Sequence, residues 1–409
     1  MGTITGSSVR RFLIAAILAL SAALAACGGG SSSSGSSSTS SPTPPTSSGS
    51  NVQAIEVNGG PVPNSIYPNG VFTSVTICVP GSSSCQTIDG VLVDTGSVGL
   101  RLLSSLVTVS LPAATIDGNP MGNCVQFVDN SYLWGSVATA DVKLSGETAS
   151  STPIQMISAA ANVPSPCSSG GSGTDDGTLE TLGANGIIGV GPYLQDCGAA
   201  CAQSASIGLY YSCPSSGCTE VTVPASQQVQ NPVSLFASDN NGVIVELPSV
   251  SGTAQTLSGS LVFGIGTQSN NGLGSAQIYT FNQMGYFDTK FNNTDYGESF
   301  IDSGSNAYFF ADSSITVCPD DQFFFCPAST LSLSATNTGA NGTSSTVSFD
   351  VANADSLFTN STASAYATLA GPNTAGMFDW GLPFFYGRNV YTAIETRSTP
   401  GGTGPYWAY

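Results

Sequence analysis

Two copies of one short pattern constrain this chain more than any other feature. The first copy reads Gly90-Val-Leu-Val-Asp94-Thr95-Gly96-Ser97-Val-Gly-Leu100 and the second Glu298-Ser-Phe-Ile-Asp302-Ser303-Gly304-Ser305-Asn-Ala-Tyr308. Each is an apolar run that ends in Asp, a small hydroxyl residue, Gly and Ser, and then turns apolar again. Each is followed later by an apolar-plus-Gly segment, Gly186-Ile-Ile-Gly189-Val-Gly191 after the first and Trp380-Gly381-Leu-Pro-Phe-Phe385 after the second. Self-similarity at a long period marks a duplicated unit, and a period of about half the body predicts two related lobes.

The pattern has chemical content. An apolar strand ending in a carboxylate sets the acid at the edge of a core, where burial disfavours its charged form. Gly in the third place permits the tight turn and brings its N–H within reach of the carboxylate. The flanking hydroxyls add donors that hold the acid in one orientation. One such motif is most often a strand-ending turn. Two brought together across a pseudo-dyad cannot both ionise, so they share one proton. One then acts as general base on a bound water while the other, protonated, polarises a carbonyl.

That pairing suits a chain with no His at all. Without imidazole, Ser-His-Asp and Cys-His hydrolysis, zincin chemistry and His-ligated metals are excluded. No metal or other cofactor is expected. Seven Lys+Arg against 25 Asp+Glu give a net charge of −18, which repels phosphate backbones and excludes a nucleic-acid partner.

The segment from 52 to 409 reads as all-β, with Val/Ile/Thr/Phe runs such as Val71–Cys78, Val243–Leu247 and Ser260–Phe263 between Gly, Ser, Asn and Pro clusters. Stretches of helical periodicity are missing. The Ser/Thr/Gly-rich stretches 165–178 and 336–346 read as mobile surface insertions. With 8% charged residues, stability must come from strand packing and disulfides. Setting Cys27 aside, ten of the eleven Cys remain. Cys78/Cys85, Cys197/Cys201, Cys213/Cys218 and Cys318/Cys326 sit close in sequence, leaving Cys124 and Cys167, which could pair. A zinc site built of Cys alone is the competing reading.

The N-terminus reads as an export signal, with Arg10 and Arg11 ahead of the apolar Phe12–Ala23 stretch. Leu24-Ala25-Ala26-Cys27 resembles the lipobox of bacterial lipoproteins. That resemblance implies a signal peptide over 1–26, lipidation of Cys27 and attachment to the cell envelope. Gly28 after the Cys favours the outer membrane. The Ser/Gly/Pro-rich stretch completes a 27–51 tether, which at 5–6 Å × √n reaches on the order of 25 Å. The lobes are then expected over 52–268 and 269–409.

The two motifs resemble those of the pepsin-type aspartic proteases, an all-β, bilobal fold with a cleft between pseudo-two-fold related lobes. The resemblance implies that Asp94 and Asp302 are the catalytic pair. Thr95 and Ser303 match the hydroxyls that brace the two loops, and Ser97 and Ser305 those bonding the carboxylates, with Gly96 and Gly304 at the turns. Gly186-Ile-Ile-Gly189 matches the strand completing a psi-shaped motif. Asp379-Trp380 stands where the family has two aliphatics, and Leu382 where Gly is usually followed by Asp. For the flap, a hairpin that closes over substrate with a Tyr, Tyr132 is the candidate and Trp134 the second. The lipobox, the tether and the Gly-Leu-Pro-Phe-Phe-Tyr-Gly-Arg388 ending are together similar to a bacterial DUF3443-type lipoprotein family. The function implied is an aspartic endopeptidase acting as a monomer on peptide or protein in the cleft, anchored to a membrane through Cys27. The alternatives are a catalytically silent pepsin-like module binding polysaccharide or protein, and a structural or adhesive surface lipoprotein.

Overall fold

The computed structural model describes residues 48–159, 163–282 and 285–409. The export signal, Cys27 and most of the tether lie outside the described residues. Among the described residues, no helix is long and apolar enough to cross a membrane.

The apolar run before the first Asp becomes the Cys85–Asp94 strand, in which Val91, Leu92, Val93 and Asp94 are all buried. A run without polar alternation needs cover on both faces. The Gly70–Cys78 strand pairs with it antiparallel from Phe72↔Leu92 to Cys78↔Cys85. The Gly186–Val190 strand runs parallel to it, with Ile187↔Leu92 and Gly189↔Asp94 in register. After the turn, the chain leaves as the Val98–Leu103 strand, which pairs antiparallel with the other side of Gly186–Val190.

The second copy repeats this arrangement. Thr294–Ile301 leads into Asp302 and pairs parallel with Met377–Trp380, with Phe300↔Asp379 and Ile301↔Trp380 in register. Tyr308–Phe310 returns antiparallel on the other side, with Tyr308↔Trp380. The glycines of the two later segments are required by close approach. A Cβ at Gly189 would meet Val98 N at 2.5 Å, and one at Gly381 would meet the Ala307 carbonyl oxygen at 2.1 Å.

The molecule is nearly all-β, as expected. The first motif belongs to a 17-stranded sheet and the second to a seven-stranded one. The chain after Trp380 returns to the first: Arg388–Ala393 pairs with Gly242–Leu247, and Tyr406–Ala408 pairs with Arg388–Ala393 and Ile278–Thr280. Backbone pairing therefore crosses the division drawn at 268/269. One apolar core joins residues of both sheets, including Val93 and Leu100 with Ile301, Phe378, Trp380 and Phe384. Phe378 stacks on Phe310 at 5.0 Å and on Trp380 at 4.5 Å. The buried Trp380 Nε1 donates to Thr289 Oγ1 at 3.2 Å.

The ten Cys form five disulfides, joining Cys78–Cys85, Cys124–Cys167, Cys197–Cys201, Cys213–Cys218 and Cys318–Cys326. The 336–346 stretch is not a mobile insertion. It is the end of a hairpin between Leu331–Thr338 and Ser344–Val351. Its Thr and Ser residues pair across the outer face, Thr336 with Thr346 and Thr338 with Ser344, both at 3.1 Å. β-branched hydroxyl residues suit such a wet strand face.

Candidate active site

Each loop folds back on its own Asp. Asp94 Oδ1 accepts from the backbone N–H groups of Gly96 at 2.8 Å and Ser97 at 3.1 Å, and Oδ2 from the Ser97 hydroxyl at 2.5 Å. Asp302 Oδ1 accepts from Gly304 N–H at 2.8 Å, and Oδ2 lies 2.8 Å from Ser305 Oγ. Gly96 N–H also reaches Asp302 Oδ1 at 3.2 Å, so a single donor serves both carboxylates. The two acids lie side by side, and both are 0% exposed. Gly96 between them is partly exposed.

The loops are held together by exchange. Thr95 N–H donates to Ser303 Oγ at 3.1 Å and Ser303 N–H to Thr95 Oγ1 at 3.0 Å. The hydroxyls pass on to the opposite strand, Ser303 Oγ to the Val93 carbonyl at 2.8 Å and Thr95 Oγ1 to that of Ile301 at 3.4 Å. The psi strands fix the loops from behind: Gly191 N–H donates to the Ser97 carbonyl at 2.8 Å, and Leu382 N–H to the Ser305 carbonyl at 2.7 Å. All eight loop residues named from the sequence, Asp94 to Ser97 and Asp302 to Ser305, thus converge.

Sequence reasoning passed over three features. Asp379, noted as a departure, places Oδ2 2.6 Å from Ser305 Oγ, so the site holds a third buried carboxyl. An acid inside Met-Phe-Asp-Trp, an otherwise apolar strand, was the signal. Second, Arg101 is buried just after the first loop. It bonds Asn123 and Gln155 at 2.8 and 2.7 Å and pairs with Asp196 at 3.1 Å. Burial pushes the Asp196 carboxyl above its ordinary value, against the pull of the Arg101 charge and the Tyr210 hydroxyl. Arg101 alone in an apolar strand gave no hint of its partner 95 residues on.

The third is where the candidate flap hairpin turns. The hairpin joining Asn119–Gln126 to Ser131–Leu144 turns at Phe127–Asn130, with Phe127 N–H donating to Ser131 O and Asn130 N–H to Phe127 O. The flap candidates lie beyond that turn, in the strand. Tyr132 pairs with Gln126 and Trp134 with Cys124, and both are buried in a cluster with Cys167 and Tyr211. Burial, then the charges of Asp175 and Asp176, push the Tyr132 hydroxyl up from its ordinary range. The 165–178 stretch is bound to this hairpin. Cys167 joins Cys124, Gln126 donates to the Pro166 and Cys167 carbonyls, and Thr174 and Asp176 N–H groups donate to the carbonyls of Asn130 and Tyr132.

Cys318, Cys326 and Asp355 are the one described group with metal-ligand proximity, but the two sulfurs are joined and offer no thiolate. Chemically, two adjacent buried acids with hydroxyl and amide donors fit proton exchange with a small polar species at Gly96.

No curated protein matches the sequence. Among solved structures, the aspartic proteinase from Irpex lacteus is similar at 14% identity and a TM-score of 0.48, covering 87% of this chain and 96% of its own. The family described as "Protein of unknown function (DUF3443)" matches residues 47–409, which include every described residue, and the protein belongs to it.

Proposed function

We propose that this protein is an aspartic endopeptidase-type hydrolase carried on a lipid anchor at Cys27 in the bacterial outer membrane. The observation that carries this reading is the shared Gly96 donor, which sets the Asp94 and Asp302 carboxyl groups side by side. In that arrangement one proton serves both acids. The ionised member takes a proton from a bound water, which attacks the peptide carbonyl. The protonated member hydrogen-bonds the carbonyl oxygen and stabilises its developing charge. The proton taken from water then passes to the leaving nitrogen, and the dyad returns to one proton. Thr95, Gly96, Ser97, Ser303, Gly304 and Ser305 orient the two acids, with Tyr132 and Trp134 the flap candidates in the hairpin strand.

The test is hydrolysis of a reduced, carboxymethylated protein by the detergent-solubilised chain from about pH 3 to about pH 8. Activity is expected on the acidic side. Asp94→Asn and Asp302→Asn are each expected to lower it by at least about 10³-fold. Activity that peaks above neutrality, or survives Asp302→Asn, would assign the chemistry to other groups. The full burial of both carboxylates favours a second reading, a catalytically silent module that binds polysaccharide or protein. Retained ligand binding with no hydrolysis at any pH would establish it.

A further inference from the structure

By register, Asp379 faces Phe300 as Ile187 faces Leu92, each pair two residues ahead of its loop's Asp. A carboxyl therefore occupies the place of an apolar side chain in the first copy. It is 1% exposed. Its Oδ2 lies 2.6 Å from Ser305 Oγ, and Ser305 Oγ in turn lies 2.8 Å from Asp302 Oδ2.

A serine hydroxyl carries one hydrogen. It donates to one of the two carboxyl groups only. At the other contact it accepts, and that carboxyl must then be protonated. If both were ionised, two lone-pair-bearing oxygens would face each other at hydrogen-bond distance away from water, which is strongly unfavourable. The geometry thus requires a proton on one end of the Asp302–Ser305–Asp379 chain.

We propose that Asp379 is a positioning residue that shares this proton with Asp302 through Ser305 and so sets the upper pH limit of the dyad. The inference rests on the peptidase reading of Asp94 and Asp302. With the proton on Asp379, Ser305 donates to Asp302 and favours its ionised form. With the proton on Asp302, Ser305 turns to the ionised Asp379 and Asp302 remains an acid. Ionised Asp379 is a like charge beside the dyad, and it opposes loss of the dyad's last proton as the pH rises. The two loops bring Asp94 and Asp302 to this group. The Thr294–Ile301 strand brings Glu298 alongside Met377, and the Tyr308–Phe310 strand brings Tyr308 alongside Trp380. Burial pushes the Tyr308 hydroxyl above its ordinary range, against the pull of the Arg388 charge and with the Asp350 charge adding to the rise.

The experiment compares pH–rate profiles of wild type, Asp379→Asn and Asp379→Glu on reduced, carboxymethylated protein, together with carbon-13 NMR titration of aspartate carboxyl groups in the same full chains. The Asn amide donates to Ser305, locks it toward Asp302 and brings no charge. The basic limb of Asp379→Asn is therefore expected about one pH unit lower than in wild type, with Asp302 titrating correspondingly earlier. Asp379→Glu is expected to restore the limb. A merely structural role would lower the rate at every pH and leave the limb in place. Superimposable limbs with an unmoved Asp302 titration would overturn the proposal. If the Asn variant does not fold, the wild-type titration decides. Asp302 and Asp379 should each show the other's step, and Ser305→Ala should remove that coupling, whereas independent titrations in wild type would refute it. A chain without peptidase activity whose Asp302 still shifts in Asp379→Asn would sink the peptidase reading and keep the proton link.

Discussion

Thr95 and Ser303 each donate a backbone N–H to the other's hydroxyl, at 3.1 and 3.0 Å, across a sequence distance of 208 residues. Both residues are 0% exposed, so neither amide has water as a substitute acceptor. Thr95→Ala and Ser303→Ala are each expected to cost about 1–3 kcal/mol by orphaning the opposite N–H. The double variant should cost less than the sum, because both act on one exchange. Urea unfolding of the four chains checks this, and strict additivity would show that the two bonds are independent.

The psi-strand glycines should tolerate no side chain. At Gly381 a Cβ meets backbone at 2.1 Å, whereas at Gly272 it meets nothing within 4 Å. Gly381→Ala is expected to lower stability by about 3 kcal/mol or more, and Gly272→Ala to stay within about 0.5 kcal/mol. Thermal unfolding of the pair reads the difference directly.

The Arg101–Asp196 pair is buried at both ends. Arg101→Ala leaves an uncompensated carboxylate beside Asn123 and Tyr210, and the expected loss is about 3–5 kcal/mol. Replacing both partners at once, as Arg101→Met with Asp196→Leu, should recover most of it. A double variant as unstable as the single one would mean that the charge is not the cause.

The Cys124–Cys167 bridge closes 43 residues of chain and ties the 165–178 stretch to the hairpin. Removing it as a Ser pair is expected to cost about 4 kcal/mol on chain-entropy grounds, against about 2 kcal/mol for the short Cys213–Cys218 bridge. Amide exchange between Gln126 and Trp134 should quicken in the first variant only. Thiol titration of the denatured, unreduced chain should find no free thiol among the ten cysteines, and two or more would contradict the pairing.

The two Asp loops were legible because a duplicated motif carries its own internal control, and the disulfides because four of the five close short loops. What escaped depends on contacts that sequence spacing does not encode. Arg101 meets Asp196 only because Asn119–Gln126 and Glu147–Ile157 bring Asn123 and Gln155 around it. Asp379 reads as an oddity until register places it behind Ser305. The 336–346 stretch looked like a loop because composition counts Ser and Thr without asking which face they occupy. With Ala335, Asn337 and Val347 turned inward, the alternation was that of a strand.

The return of Arg388–Ala393 and Tyr406–Ala408 to the first sheet has a consequence for how this chain is made. A ribosome delivers Gly242–Leu247 long before the strand that pairs with it along its whole length, from Gly242↔Ala393 to Leu247↔Arg388. Until Arg388–Ala393 emerges, that strand presents an open edge of apolar backbone, the kind of template on which other chains pair. Completion of the sheet around the first Asp is thus timed by strands made after those around the second. A stop codon between Trp380 and Arg388 would spare the strands around the second Asp, yet it would leave every copy with a permanently adhesive flank.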